Sequence, residues 1–203
     1  NGQTITIDLT GKNVTSARVR FKGVNGTTTS YEYKDSEPVE KAGSRTGGWS
    51  AYPSLTVPPV PSGYTAYTTK LFASVWVAEH ISDKWEITIG PKGSIAHESG
   101  VGNYGSASAS TLISPGTSVY FEIYYGFEGN PYSYRARIIT QGRKTITTTT
   151  YSTNPSCGGA SYSGTLAGGT TTGWQSISLK SNQKNTLYCS VSGSGVVDIE
   201  VEY

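Results

Sequence analysis

The groups with catalytic potential cluster in one place. Glu79, His80, Asp83 and Glu86 fall within eight positions, and His97 with Glu98 follow shortly after. A metal centre built here would draw on His80, His97 and one or two of the carboxylates, yet no pair among them has a recognised ligand spacing. Turn residues bathed in solvent are the simpler reading. Glycoside cleavage needs two carboxylates flanking the scissile bond. Glu79 with Glu86 is one candidate pair, and Glu122 with a second acid is another. Glu122 lies between Tyr120 and Tyr124, on the strand face that a jelly-roll glucanase turns toward its groove. With 27 serines a Ser-His-Asp triad can always be assembled on paper, and no Gly-x-Ser-x-Gly elbow accompanies any of them. Two cysteines without a nearby His cannot complete a zinc shell. They read instead as one disulfide, Cys157–Cys189, the usual outcome for an even count in an exported chain.

Positioning such groups requires strands. The chain has 203 residues, among them 27 Thr, 27 Ser, 25 Gly and 15 Tyr. Thr and Tyr favour strands, whereas Gly and Ser favour turns. Period-two alternation recurs from end to end: Ile5, Ile7 and Leu9; Ala17, Val19 and Phe21; Leu71, Ala73, Val75 and Val77; Trp85, Ile87 and Ile89; Val119, Phe121, Ile123 and Tyr125; Tyr134, Ala136 and Ile138; Leu187, Cys189 and Val191; Val197, Ile199 and Val201. Asn25-Gly26, Gly90-Pro91, Pro115-Gly116 and Gly129-Asn130-Pro131 punctuate them. About nine or ten short strands with polar outer faces predict an all-β protein, an antiparallel β-sandwich or jelly roll. Residues 53–61, rich in Pro, are expected as a stiff extended loop within the sandwich. Residues 1–50 hold too few apolar positions for a core of their own. Residues 11–203 are therefore expected to form a single domain preceded by a strand-like tail, residues 1–10.

Sixteen Lys and Arg balance fourteen Asp and Glu. That balance argues against nucleic acid, which demands clustered cations, and no apolar run approaches a membrane span. Between Glu128 and Asp198 there is no acid, while Arg135, Arg137, Arg143, Lys144, Lys180 and Lys184 lie inside. The last strand carries Asp198, Glu200 and Glu202 on one face, so it is expected beside a basic stripe, 16–22 or 133–139. A chain without Met is expected to be a processed, secreted product. Asn13-Val14-Thr15 and Asn25-Gly26-Thr27 are N-glycosylation sequons, making Asn13 and Asn25 the candidate acceptors. Tyr64, Tyr67, Tyr124, Tyr125, Tyr132 and Tyr134 are candidate faces for stacking on sugar rings, against ordinary sheet filling.

Two resemblances bear on function. Val75-Trp76-Val77 and Ile113 to Val119 resemble strands of secreted glutamic peptidases. That family's catalytic Gln and Glu have no counterpart here, so its activity does not carry over. The alternating strand Gln3-Thr4-Ile5-Thr6-Ile7-Asp8-Leu9, the sequons and the composition resemble subunits of extracellular filaments built by donor-strand complementation, the pili and archaeal threads. The resemblance implies a homopolymer in which residues 1–10 complete the neighbouring subunit, with Ile5, Ile7 and Leu9 as plugs. A monomer would instead pair the segment with its own sheet. Other readings are a secreted carbohydrate-binding module and a secreted β-sandwich hydrolase. No cofactor is expected in the filament reading.

Overall fold

A computed structural model describes residues 2–79, 82–193 and 195–203. In chain order the strands are β1 (Gly2–Asp8), β2 (Arg18–Val24), β3 (Gly26–Asp35), β4 (Val39–Thr46), β5 (Ser54–Thr56), β6 (Thr65–Trp76), β7 (Lys84–Ile89), β8 (Ala96–Val101) and β9 (Tyr104–Thr111). They continue as β10 (Ser118–Tyr125), β11 (Pro131–Thr150), β12 (Ser152–Cys157), β13 (Ala160–Ser161), β14 (Thr165–Leu166), β15 (Gln175–Ser176), β16 (Lys184–Gly193) and β17 (Val196–Glu202). A single 3₁₀ turn, Pro91–Gly93, is the one helical element among the described residues. The fold is all-β and antiparallel, as the alternation requires. Among the described residues seventeen strands exceed the nine or ten expected, and two physical reasons account for part of the excess. Short strands such as β13, β14 and β15 span only two residues, below the reach of any periodic signal. β3 and β4 are exposed along nearly their whole length and carry no apolar stripe to reveal them.

The chain divides into two compact units, residues 1–30 with 146–203 and residues 31–145, where the sequence suggests one sandwich after residue 10. Each unit has its own core. The first thirty residues do lack enough apolar side chains for a core, but 146–203 supply the remainder. Ile7, Leu9, Val19 and Phe21 pack with Cys157, Leu166, Leu187 and Cys189. That unit holds a sheet ordered β1-β16-β12-β13, with β14 also on β12, and a second ordered β15-β2-β17.

The other unit holds the sheets β5-β10-β7-β8 and β3-β11-β6-β9, with β4 also on β11. Its core joins Leu71, Ala73, Val75, Ile87, Ile89, Phe121, Ile123, Ala136 and Ile138, with Tyr125 and Tyr132 fully enclosed. The Pro-rich stretch belongs to this unit. Ser54–Thr56 is the edge strand β5, Leu55 and Val57 enter the core, and the Thr140 hydroxyl donates to the Pro58 carbonyl at 2.7 Å. The Trp85 ring lies across Gly100 and Gly105, where any Cβ would collide with it.

Of the two basic stripes expected beside the last strand, it is the one on β2 that meets it. β17 pairs with β2 so that Asp198, Glu200 and Glu202 stand opposite Lys22, Arg20 and Arg18. Arg20 Nε donates to Glu200 Oε2 at 2.6 Å and Arg18 Nε to Glu202 Oε2 at 2.8 Å. Trp174 lies against both guanidinium groups, at 4.8 Å from Arg18 and 4.6 Å from Arg20.

Candidate functional sites

Three places gather the residues singled out by the sequence. The first is the edge strand β1. It pairs antiparallel with β16 of its own chain, Thr4 opposite Tyr188, Ile5 opposite Leu187, and Thr6 opposite Thr186. Ile7 and Leu9 are buried in that unit's core and Ile5 packs against it. The three side chains therefore contact their own chain, the cis arrangement. β1 ends in a turn fixed by polar contacts. Asp8 accepts from the Thr10 hydroxyl at 2.7 Å and the Thr10 amide at 3.0 Å, and these bonds hold its carboxyl below its ordinary value. Gly11 takes φ 76°, open to glycine without strain. Its amide donates to the Asn182 side chain at 2.7 Å. A groove of about 390 Å³ lies between the start of β1 and β17, with Val191, Val197 and Ile199 among its walls.

The second place is the disulfide. Cys157 and Cys189 are bonded and stand directly across the β12–β16 ladder, both in the core. The bond is a cross-strand staple: Cys157 ends β12, and the turn Gly158-Gly159, with φ 60° and 93°, begins after it. A buried disulfide of this kind forms in an oxidising compartment. No helix among the described residues is long and apolar enough to cross a membrane.

The third place is the outward face of β7 and β10. Their register sets Glu122 opposite Thr88 and Tyr124 opposite Glu86, so alternation puts both carboxylates on one face, as diagonal neighbours. Ser50, Glu86, Thr88, Glu122 and Tyr124 line a cleft of about 270 Å³. The second acid near Glu122 is thus Glu86. Ser50 and Tyr52 donate to Glu122 Oε1 at 3.0 and 3.2 Å. His97 Nε2 lies 2.9 Å from Glu86 Oε1, and Lys84 Nζ 3.2 Å from Oε2. The His97 hydrogen bond, then the Lys84 one, holds the Glu86 carboxyl below its ordinary value. A carboxyl so stabilised stays ionised near neutral pH, which suits it to accept hydrogen bonds and unsuits it to donate a proton to a leaving group.

The other candidates disperse. Glu79 and Glu98 are exposed, and His80 lies outside the described residues. Among the described residues no group of three or more His, Cys, Asp or Glu is placed to hold a metal ion. Tyr125 and Tyr132 are buried, which removes them as sugar-stacking faces. The Tyr125 hydroxyl donates to the Gly102 carbonyl at 2.9 Å, and that of Tyr132 lies 2.7 Å from the Trp49 carbonyl. Tyr64 is half-buried and donates to Glu32; Tyr134 is half-buried against Gly43. Tyr67 is exposed, and it has companions that alternation alone did not single out, Tyr31 and Tyr33. Their signal was hidden because β3 has no apolar stripe. Asn13 and Asn25 are both exposed, and the Asn25 carboxamide oxygen accepts from the Gly168 amide at 2.7 Å.

Comparison of the chain with protein-family models, with curated proteins and with solved structures finds no match.

Proposed function

We propose that the chain is a structural subunit of an extracellular filament, polymerising head-to-tail when β1 leaves its own sheet and takes the same place in the next copy. One observation carries this reading. β1 is an edge strand, bonded on one side to β16 alone, yet it supplies Ile7 to the core, and Leu9 just after it is buried there too. Exchange in trans would rebuild the same ladder and fill the same pockets, so it costs little beyond the freedom lost on association. Main-chain bonds supply the affinity and alternate side-chain pockets supply the register. A head-to-tail contact of this type does not close on itself and grows into a fibre. The turn at Thr10-Gly11 is the hinge. The cis pairing is the resting state of a lone subunit, and it protects an apolar edge that would otherwise aggregate. The cross-strand disulfide and the two exposed sequons suit a chain that works outside the cell.

Deleting residues 1–10 tests the reading. The truncated chain is expected to remain monomeric by light scattering, to form no fibres in negative stain, and to capture a labelled peptide of residues 1–10. Fibres from the truncated chain, or a full-length chain that stays monomeric at every concentration, would overturn it.

A further inference from the structure

The outward face of β3, β11 and β6 in the unit formed by 31–145 presents an arrangement that neither the core nor strand exchange uses. Tyr31, Tyr33 and Asp35 alternate along β3 and share one face. Asp35 accepts from Lys70 Nζ at 3.0 Å and from Gln141 Nε2 at 2.9 Å, which places those two side chains on the same face. Arg143 follows Gln141 two positions on. Its guanidinium carbon lies 4.8 Å from the Tyr31 ring and 5.0 Å from the Tyr67 ring, and the rings of Tyr33 and Tyr67 are 5.0 Å apart.

Tyr67 reaches this face because the ladder is interrupted. Thr68 stands opposite Gln141 and Ala66 opposite Gly142, so Tyr67 is an extra residue without a partner in the register. A bulge re-aims the side chain it carries. The result is a row of tyrosine rings, 52%, 46% and 43% exposed, with a guanidinium held between two of them.

Among the described residues that guanidinium pairs with no carboxylate. No acidic residue occurs between Glu128 and Asp198, and among the described residues the nearby Asp35 is bonded to Lys70 and Gln141. Arg143 is therefore a cation fixed by its rings with its planar donors unspent, the arrangement that suits bidentate binding of a carboxylate. The exposed rings offer electron-rich faces to the C–H edges of a pyranose. We propose that Tyr31, Tyr33, Tyr67 and Arg143 form a binding face for an acidic oligosaccharide, a chain of uronic acids. One sugar ring stacks on a tyrosine while its carboxylate pairs with Arg143. The Lys70–Asp35–Gln141 network holds the neighbouring surface rigid and polar for the hydroxyls. This site does not depend on polymerisation, and either proposal can fail without the other.

Titration calorimetry of the full-length protein with oligogalacturonate tests it, with cello-oligosaccharide of equal length and dextran sulfate as the comparison ligands. Oligogalacturonate is expected to bind, and Arg143→Gln and Tyr67→Ser are each expected to weaken it by at least about tenfold, the scale of one charge-assisted hydrogen bond. Lys180→Gln removes the same charge from the other unit and is expected to leave binding unchanged. The proposal is overturned if oligogalacturonate does not bind, or if binding survives both substitutions. It is equally overturned if cello-oligosaccharide or dextran sulfate binds as tightly.

Discussion

Ile5 stands directly opposite Leu187 across the β1–β16 ladder, so the start of the chain is closed into a sheet by its last sixth. Both terminal segments contribute side chains to that unit's core. Leu9 is fully enclosed in this core. Leu9→Ala is expected to lower stability by about 2–5 kcal/mol, the cost of a large-to-small change at a site that cannot collapse. Urea denaturation followed by tyrosine fluorescence measures it. A midpoint equal to that of the parent protein would show that Leu9 adds nothing to the core.

The disulfide closes a separation of 32 residues. Replacing both cysteines with Ala is expected to cost about 3–4 kcal/mol in the chain-entropy account, seen as a lower denaturant midpoint. Mass spectrometry of the native protein should find no free thiol, and two free thiols would refute the bond.

Burial pushes the Tyr132 hydroxyl up to about 12, with the Trp49 and Ile123 carbonyls beside it at 2.7 and 2.8 Å. A folded-state value above the unfolded one favours the protonated, folded form, and this advantage fades as pH rises through the raised value. Tyr132 is therefore expected to contribute a late step to an ultraviolet titration. Tyr132→Phe should remove that late step. Persistence of the late step in the variant would assign it elsewhere.

On the acid side, hydrogen bonds from His97 and Lys84 lower Glu86, and the Arg18 hydrogen bond lowers Glu202. A depressed carboxylate stabilises the fold above its unfolded value, and the contribution is lost as pH falls through the folded one. Carbon-detected titration should place both carboxyls below the ordinary carboxylate range. His97→Gln should move Glu86 upward and leave Glu202 in place. An unmoved Glu86 would contradict the pairing.

The parts of this fold written in the sequence are those with a strict period. The apolar stripes of β1, β2, β6, β7, β10, β16 and β17, the cysteine pair, and a basic stripe beside the last strand all follow from alternation and charge, whereas the choice of 18–22 over 133–139 as that stripe does not. The two-unit division did not follow, because the core of the first unit joins Phe21 to Leu187 across most of the chain. No local pattern records so distant a contact. Glu86 and Glu122 come together only through the β7–β10 register, and Tyr67 joins Tyr31 and Tyr33 only through the bulge beside Gly142. A period-two reading assigns Tyr67 to the wrong face for that reason.

The exchange of β1 is tested most directly by a cysteine pair at Thr6 and Thr186, which face each other on the outer side of the ladder. Thr6→Cys with Thr186→Cys, oxidised after assembly at high protein concentration and run without reductant, reports which chain β1 occupies. Strand donation predicts a covalent ladder of multimers that collapses to monomer on reduction, with neither single variant forming it. A single monomer band in which both new thiols are consumed would place β1 in its own sheet and contradict the filament.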